Sequence, residues 1–255
     1  MPVTAVIGDV HGCIRTLDKL INSIEKRFSD VKYISLGDII DRGPGICDVI
    51  KLMMDMNSSG KLEMVRGNHE DVFIDFIDET NDYNHANWLT YGGRETLCCI
   101  SGCDVLIGNA SALSAKPYKS LAEPFLDFIK SAEYKIGREY DKEKYMFSHA
   151  GIGPSKGDSH MVYQFQMRDN YLFMWSRDTW QATEKYFGYT MVHGHTPVLE
   201  VDVHSNPHKP YVNRNKKGEI VNIALDTGCV YGYSLSAMII DEKGDFEFIS
   251  ERNAE

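Results

Sequence analysis

The sequence predicts an α/β protein built on parallel strands, and three observations carry that expectation. Apolar runs of strand length alternate with stretches of helical period through the first third of the chain. Each of those early strand-like runs ends in a polar, glycine-flanked stretch. The tail then changes character and reads as strands alone. Alternation implies parallel strands, because a parallel pair needs a long crossover that a helix supplies.

Taken in order, "TAVIGD" (4–9) is a short apolar strand, and apolar residues at 14, 17, 20, 21, 24 and 28 keep helical spacing after it. "VKYISLGD" (31–38) is a second strand, and "ICDVIKLMMDM" (46–56) a helix broken at "NSSG". Its methionines are core packing rather than ligands. "KLEMVRGN" (61–68) is a third strand, with a helix over 70–79. "NHANWLTYGG" (84–93) reads as an aromatic loop, and "LAEPFLDFIKSAEY" (121–134) as a helix around Pro124. "KYMFSHAG" (144–151) and "YTMVHGHT" (189–196) repeat the pattern of strand followed by His and Gly. "EIVNIALDTG", "SLSAMIID" and "DFEFIS" are strands, the last two a hairpin turning at "EKGD". No linker divides the chain, so one domain over 1–255 is expected.

Composition narrows the function. The chain has 255 residues, 43% hydrophobic and 25% charged, the balance of an ordinary soluble domain. A net charge of −10 argues against coating nucleic acid or binding a membrane surface, which use basic faces. Neither a membrane-length apolar run nor a secretory signal is read from the sequence, so a cytoplasmic protein is expected. The six cysteines, including "CCISGC" (98–103), lack zinc spacing and are expected to be reduced and buried.

Ligands of open α/β sheets gather beyond the carboxyl ends of the strands. Collected there are Asp9, His11, Asp38, Asp41, Arg42, Arg66, Asn68, His69, His149, His193 and His195. Carboxylate, imidazole and amide together suit manganese, iron or zinc, and the absence of thiolates argues against a structural zinc cage. Other phosphate chemistries can be checked directly. No cysteine is followed by Arg six positions on, and no G-x-x-x-x-G-K-[ST] loop is present.

"GDVHG" (8–12), "GDIIDRG" (37–43), "RGNHE" (66–70), "SHAG" (148–151) and "GHT" (194–196) occur in the order that resembles the calcineurin-like metallophosphoesterases. Within them the set is most similar to the phosphoprotein phosphatase branch, in its compact bacterial and phage (lambda) type. The resemblance implies a four-layer α/β/β/α sandwich with two central mixed sheets and a dinuclear site at the strand ends. It implies Asp9, His11, Asp38, Asn68, His149 and His195 as ligands of two divalent ions, manganese first, with iron or zinc as alternatives. Asp38 would bridge them. Arg42, Arg66 and Arg177 would hold phosphate beside Asn68, and His69 with Asp41 would assist the leaving group. His193 is left over and reads as a structural histidine.

The chemistry agrees with those roles. Phosphate ester hydrolysis needs a nucleophile at neutral pH, neutralisation of the phosphoryl oxygens and help for the departing alkoxide. Two divalent ions sharing a hydroxide supply the first. Arginine offers phosphate a bidentate fork, and a carboxylate can hold a catalytic imidazole in place. An amide at position 68 binds metal without subtracting positive charge beside an incoming phosphate. Glu70 reads as a helix start, where negative charge suits the dipole.

The expected activity is therefore hydrolysis of phosphoserine or phosphothreonine in proteins, with phosphotyrosine also open. Symmetrical dinucleoside tetraphosphate hydrolysis is the alternative, ranked second because the chain keeps Asp41 and reads "GNHE". A silent metal-binding regulator is the non-enzymatic alternative. The expected partner is a phosphoprotein or phosphopeptide, with a monomer compatible. His85, His160, His204 and His208, with the basic tip "NRNKKGE" (213–219), read as surface features, and Cys13 as ordinary packing.

Overall fold

The computed structural model describes residues 3–80, 87–102, 114–152 and 170–255. Within them, strands β1 (Val3–Ile7), β2 (Val31–Ser35) and β3 (Leu62–Met64) alternate with helices α1 (Ile14–Glu25), α2 (Ile46–Ser58) and α3 (Asn68–Asp78). A π turn at Leu89–Gly93 leads into α4 (Arg94–Ser101), and α5 (Lys116–Lys130) precedes β4 (Lys135–Glu139) and β5 (Lys144–Ser148). Then come the short α6 (Tyr171–Trp175), β6 (Thr190–His193), the short α7 (Val198–Val201), β7 (Tyr211–Arg214), β8 (Ile220–Ala224), β9 (Ser234–Ile240) and β10 (Phe246–Arg252).

The strands form two mixed sheets, ordered β10-β9-β1-β2-β3 and β4-β5-β6-β8-β7. β1, β2 and β3 are mutually parallel, as are β5, β6 and β8, while β9, β10, β4 and β7 run antiparallel to their neighbours. The side-chain period of two assigns the layers. Val3, Ala5 and Ile7 face α1, α2 and their neighbours, whereas Val6 joins Ile34, Leu36, Phe147, Val192 and Ile223 between the sheets. On the far face, Met146 and Met191 pack beneath Ile152, Phe173 and Tyr186. Each fully buried side chain of this kind contributes about 1.5–3 kcal/mol, so the inter-sheet layer is a rigid platform.

Several boundaries differ from expectation. α3 begins at Asn68 rather than Glu70, because Glu70 acts as the third helical residue and its carboxylate reaches back to the Gly67 N–H at 3.0 Å. The expected loop near Trp88 is largely helical from residue 87 onward. Trp88 is buried against Phe73 and Phe76, an anchor that a linear reading of a polar, glycine-containing stretch does not show. Pro124 sits inside α5, whose buried face of Tyr118, Ala122, Phe125 and Ile129 carries the helix across it. Tyr118 and Phe125 meet Phe76 and Phe73 of α3.

The cysteine expectation needs correction. Cys47 of α2 and Cys99 of α4 form a disulfide, with Cα atoms 5.9 Å apart. The pair is 52 residues apart in sequence and meets only because α2 and α4 pack side by side. Cys13 and Cys229 are buried thiols. His85, His160 and Cys103 lie outside the described residues. No helix among the described residues is long and apolar enough to cross a membrane.

Candidate active site

Each of the six parallel strands delivers one polar residue just beyond its carboxyl end: Asp9, Asp38, Asn68, His149, His195 and Asp226 follow β1, β2, β3, β5, β6 and β8. All six are buried. The sheets are stitched together at this edge. The His195 N–H donates to Asp9 Oδ2 at 2.9 Å, and His149 Nδ1 donates to the Leu36 carbonyl at 2.8 Å. A Cβ on Gly194 would collide with Asp9, which is why glycine separates His193 from His195.

Asp38 is the centre. Its Oδ2 lies 3.4 Å from His11 Nε2 on one side and 3.4 Å from His149 Nε2 on the other, while Oδ1 accepts the His69 N–H. Donor atoms close into two overlapping triads, His11–Asp38–His69 and Asp38–His149–His195. Asn68 Oδ1 completes the second, 2.9 Å from both His149 Nε2 and His195 Nδ1. His11 Nδ1 donates to the Ile40 carbonyl at 2.8 Å, which turns its Nε2 lone pair inward. Asp9 Oδ1 and His195 Nε2 are buried without hydrogen-bond partners among the described residues. Buried polar atoms of this kind normally have one.

The electrostatics ask for positive charge. Burial lifts the Asp9 carboxyl well above its ordinary range, and the neighbouring Asp226 adds to it. Burial also raises Asp226, to about 6. Burial opposes a charge on His149, yet the Asp38 carboxylate outweighs it and pushes that imidazole up to about 10. Burial works against ionised Asp38 as well, but His149 and His69 hold it well below the usual carboxylate range. A donor set of carboxylate, imidazole and amide, with two buried polar atoms lacking partners and clustered acids, fits a pair of divalent ions. Asp9, His11, Asp38, Asn68, His149 and His195 are the side chains that would hold them.

Beside this cluster lies an acid–imidazole pair. His69 Nδ1 donates to Asp41 Oδ2 at 2.5 Å, and the same oxygen accepts Trp88 Nε1–H at 2.7 Å. Thr96 Oγ1 donates to the other oxygen. Asp41 is thus fully buried, fully satisfied and fixed. Arg42 spans the two histidines, donating to His11 Nε2 at 2.6 Å and His69 Nε2 at 2.9 Å. Burial lowers the affinity of His69 for a second proton, but Asp38 and Asp41 more than reverse that.

Above the pair opens a cavity of about 450 Å³ lined by Arg42, Asn68, His69, Tyr91, Trp175, Arg177 and Tyr231 among others. Arg177 stands at its exposed rim, 3.5 Å from Glu200. Arg66 is not among the lining residues; its guanidinium donates to Tyr134 Oη and the Lys130 carbonyl and lies 3.5 Å from Asp71. His193 is buried outside both triads, its protonation suppressed to about 4 by burial. His204 and His208 likewise join no metal-competent group among the described residues.

Four residues of the site were not assigned such roles from sequence. Glu70 is one: Oε2 accepts the N–H groups of Gly67 and Asp38 at 3.0 and 2.8 Å, and Oε1 those of Ile39 and Ile40 at 2.9 and 3.4 Å. One carboxylate therefore ties the loop after β2 to the loop after β3. Asp226 is the second, and "LDTG" repeats the strand-then-glycine pattern that could have flagged it. Trp88 and Thr96, which hold Asp41, carried no such signal. Backbone strain is concentrated here too. His11, Asp38, Asp41, Arg42 and His195 have φ between 44° and 69°. That region costs a residue with a side chain about 1 kcal/mol or more.

Comparison with known proteins is consistent with this geometry. Residues 2–221 match the family model of calcineurin-like phosphoesterases. The chain is 25% identical over 265 residues to the bis(5'-nucleosyl)-tetraphosphatase PrpE [asymmetrical] of Oceanobacillus iheyensis, covering 96% of this chain and 90% of that protein. It is 34% identical over 90 residues to serine/threonine-protein phosphatase 1 of Salmonella typhimurium, covering 34% of this chain and 38% of the relative. The fold matches that of a cold-active protein-tyrosine phosphatase from a psychrophilic Shewanella with a TM-score of 0.58 at 16% identity, over 99% of this chain and 80% of the other. With five motifs in order, two metal-competent triads and a family match across most of its length, the chain belongs to the calcineurin-like phosphoesterases.

Proposed function

We propose that this phosphoesterase hydrolyses dinucleoside tetraphosphates. The observation that carries the reading is extent. Relatives named as asymmetrical tetraphosphatases align along nearly the whole chain, whereas those named symmetrical align over about a quarter of it and the serine/threonine phosphatases over about a third. The proposal departs from the expectation drawn from "DRG" and "GNHE", which weighed the protein phosphatase against the symmetrical tetraphosphatase alone. Asp9, His11, Asp38, Asn68, His149 and His195 would hold two divalent ions. When bound, such ions lower the pKa of water and draw charge from phosphoryl oxygens. Arg42 and Arg177 bind the phosphate chain, and His69 holds a proton at Nε2 for the departing oxygen while Asp41 fixes its ring.

A second reading, hydrolysis of phosphoserine or phosphothreonine in proteins, is favoured by the His69–Asp41 pair. Its buried, fully bonded carboxylate suits donation to a poor alkoxide leaving group more than to a phosphate. The test is kcat/KM of manganese-reconstituted protein on diadenosine tetraphosphate and on a phosphoserine peptide. The proposal expects the dinucleotide to be preferred by tenfold or more; a preference for the peptide would replace it with the second reading.

A further inference from the structure

The phosphate chemistry uses the floor of the 450 Å³ cavity, and its mouth remains to be explained. Tyr91 and Tyr231 stand there 64% and 56% exposed, and Trp175 shares the wall. Exposed aromatic rings forgo the burial that normally stabilises them. Both tyrosines sit on turns shaped to present them. Tyr231 lies between Gly228 and Gly232, with φ of 66° and 89°, and Tyr91 precedes Gly92, with φ of 115°. Both are tied to Arg42, whose Nε donates to the Tyr91 carbonyl at 3.2 Å and whose guanidinium lies 5.7 Å from the Tyr231 ring centroid. Trp175 is stacked on Tyr171 at 5.7 Å and meets His195 edge-on, which links the wall to the metal-competent triad.

We propose that Tyr91, Tyr231 and Trp175 form a stacking subsite for a nucleobase, with Arg42 joining the base to its phosphates. The inference rests on the nucleotide reading above and gives that substrate class its residues. Planar aromatic faces take any base through its π surface, and adjacent arginines take the anionic chain. An aryl group bonded directly to the ester oxygen would sit at the floor beside His69 and Trp88. Rings at the mouth suit a planar group set off by a sugar.

The test uses metal-loaded protein hydrolysing p-nitrophenyl phosphate, with adenosine monophosphate and ribose 5-phosphate as competing inhibitors. These differ only in the base. Stacking predicts that the nucleotide inhibits about tenfold more tightly. That advantage falls below about threefold in a Tyr91→Leu/Tyr231→Leu double variant and returns with Tyr91→Phe/Tyr231→Phe, since phenylalanine keeps the ring. Equal inhibition of the wild type by the two compounds overturns the subsite, as does an advantage that survives the leucine variant. Turnover of diadenosine tetraphosphate is scored separately, so failure of the functional reading is distinguished from failure of the subsite.

Discussion

His11 and His149 occupy matching places on either side of Asp38, yet their surroundings make them opposites. Each donates Nδ1–H to a backbone carbonyl and turns Nε2 toward the same carboxylate oxygen at 3.4 Å. Burial and then the Arg42 guanidinium hold His11 well below its ordinary pKa. His149 faces Asp38, with Asp9 and Glu70 behind, and is pushed up to about 10 despite burial. One half of the site is thus lined by arginine and the other by acids. Identical ligand chemistry does not make equivalent metal positions; the neighbouring charges set them apart.

The largest effect should come from the shared residue. Asp38→Asn removes the charge that both triads use, so metal content should fall at both positions and kcat by at least about a hundredfold. Metal analysis alongside kinetics checks it, and retention of both ions would break the pairing. Next, the halves should separate in chelated protein. His149→Ala strips a buried cation from among carboxylates and should destabilise by about 3 kcal/mol. His11→Ala removes a neutral ring and should cost about 1 kcal/mol. Equal denaturation midpoints would mean that the asymmetry is not felt.

Glu70→Gln probes the scaffold that both halves share. An amide NH₂ placed among four backbone N–H donors should cost about 2–3 kcal/mol and loosen Asp38 relative to Asn68. A lowered melting temperature together with weaker metal retention is expected, and a change in melting temperature alone would make Glu70 merely structural. The last effect is on pH dependence and comes from the same His149 imidazole. The folded-state pKa of His149, about 10, lies above its ordinary 6.5. Its contribution is complete below pH 6.5 or so and is lost as pH rises through about 10. Chelated wild type should therefore weaken over that interval, and His149→Ala should flatten the slope.

What could be read from sequence follows from what is local. Asp9, Asp38 and Asn68 were legible because each ends a strand whose period and crossover helix lie beside it in the chain. The tail hairpin was legible for the same reason. Glu70 shows the limit: its four donors belong to two loops that meet only after β2 and β3 pair, so its motif suggested nothing beyond a helix start. Asp41 was found, but Trp88 and Thr96, which hold it, arrive from about fifty residues away. Arg66 shows a further limit, since its motif says nothing of Tyr134 and Lys130, which engage its guanidinium in this structure. The Cys47–Cys99 bridge depends on the contact between α2 and α4, which cysteine spacing does not reveal.

The left-handed backbone at His11, Asp38, Asp41, Arg42 and His195 sets the terms on which this protein can be improved. Glycine would relax each position while erasing its chemistry. Relief of that strain is offset by the buried partners each side chain holds, so a library screened for heat resistance alone does not protect the chemistry at these five codons. Any campaign for a tougher catalyst has to score turnover in every round.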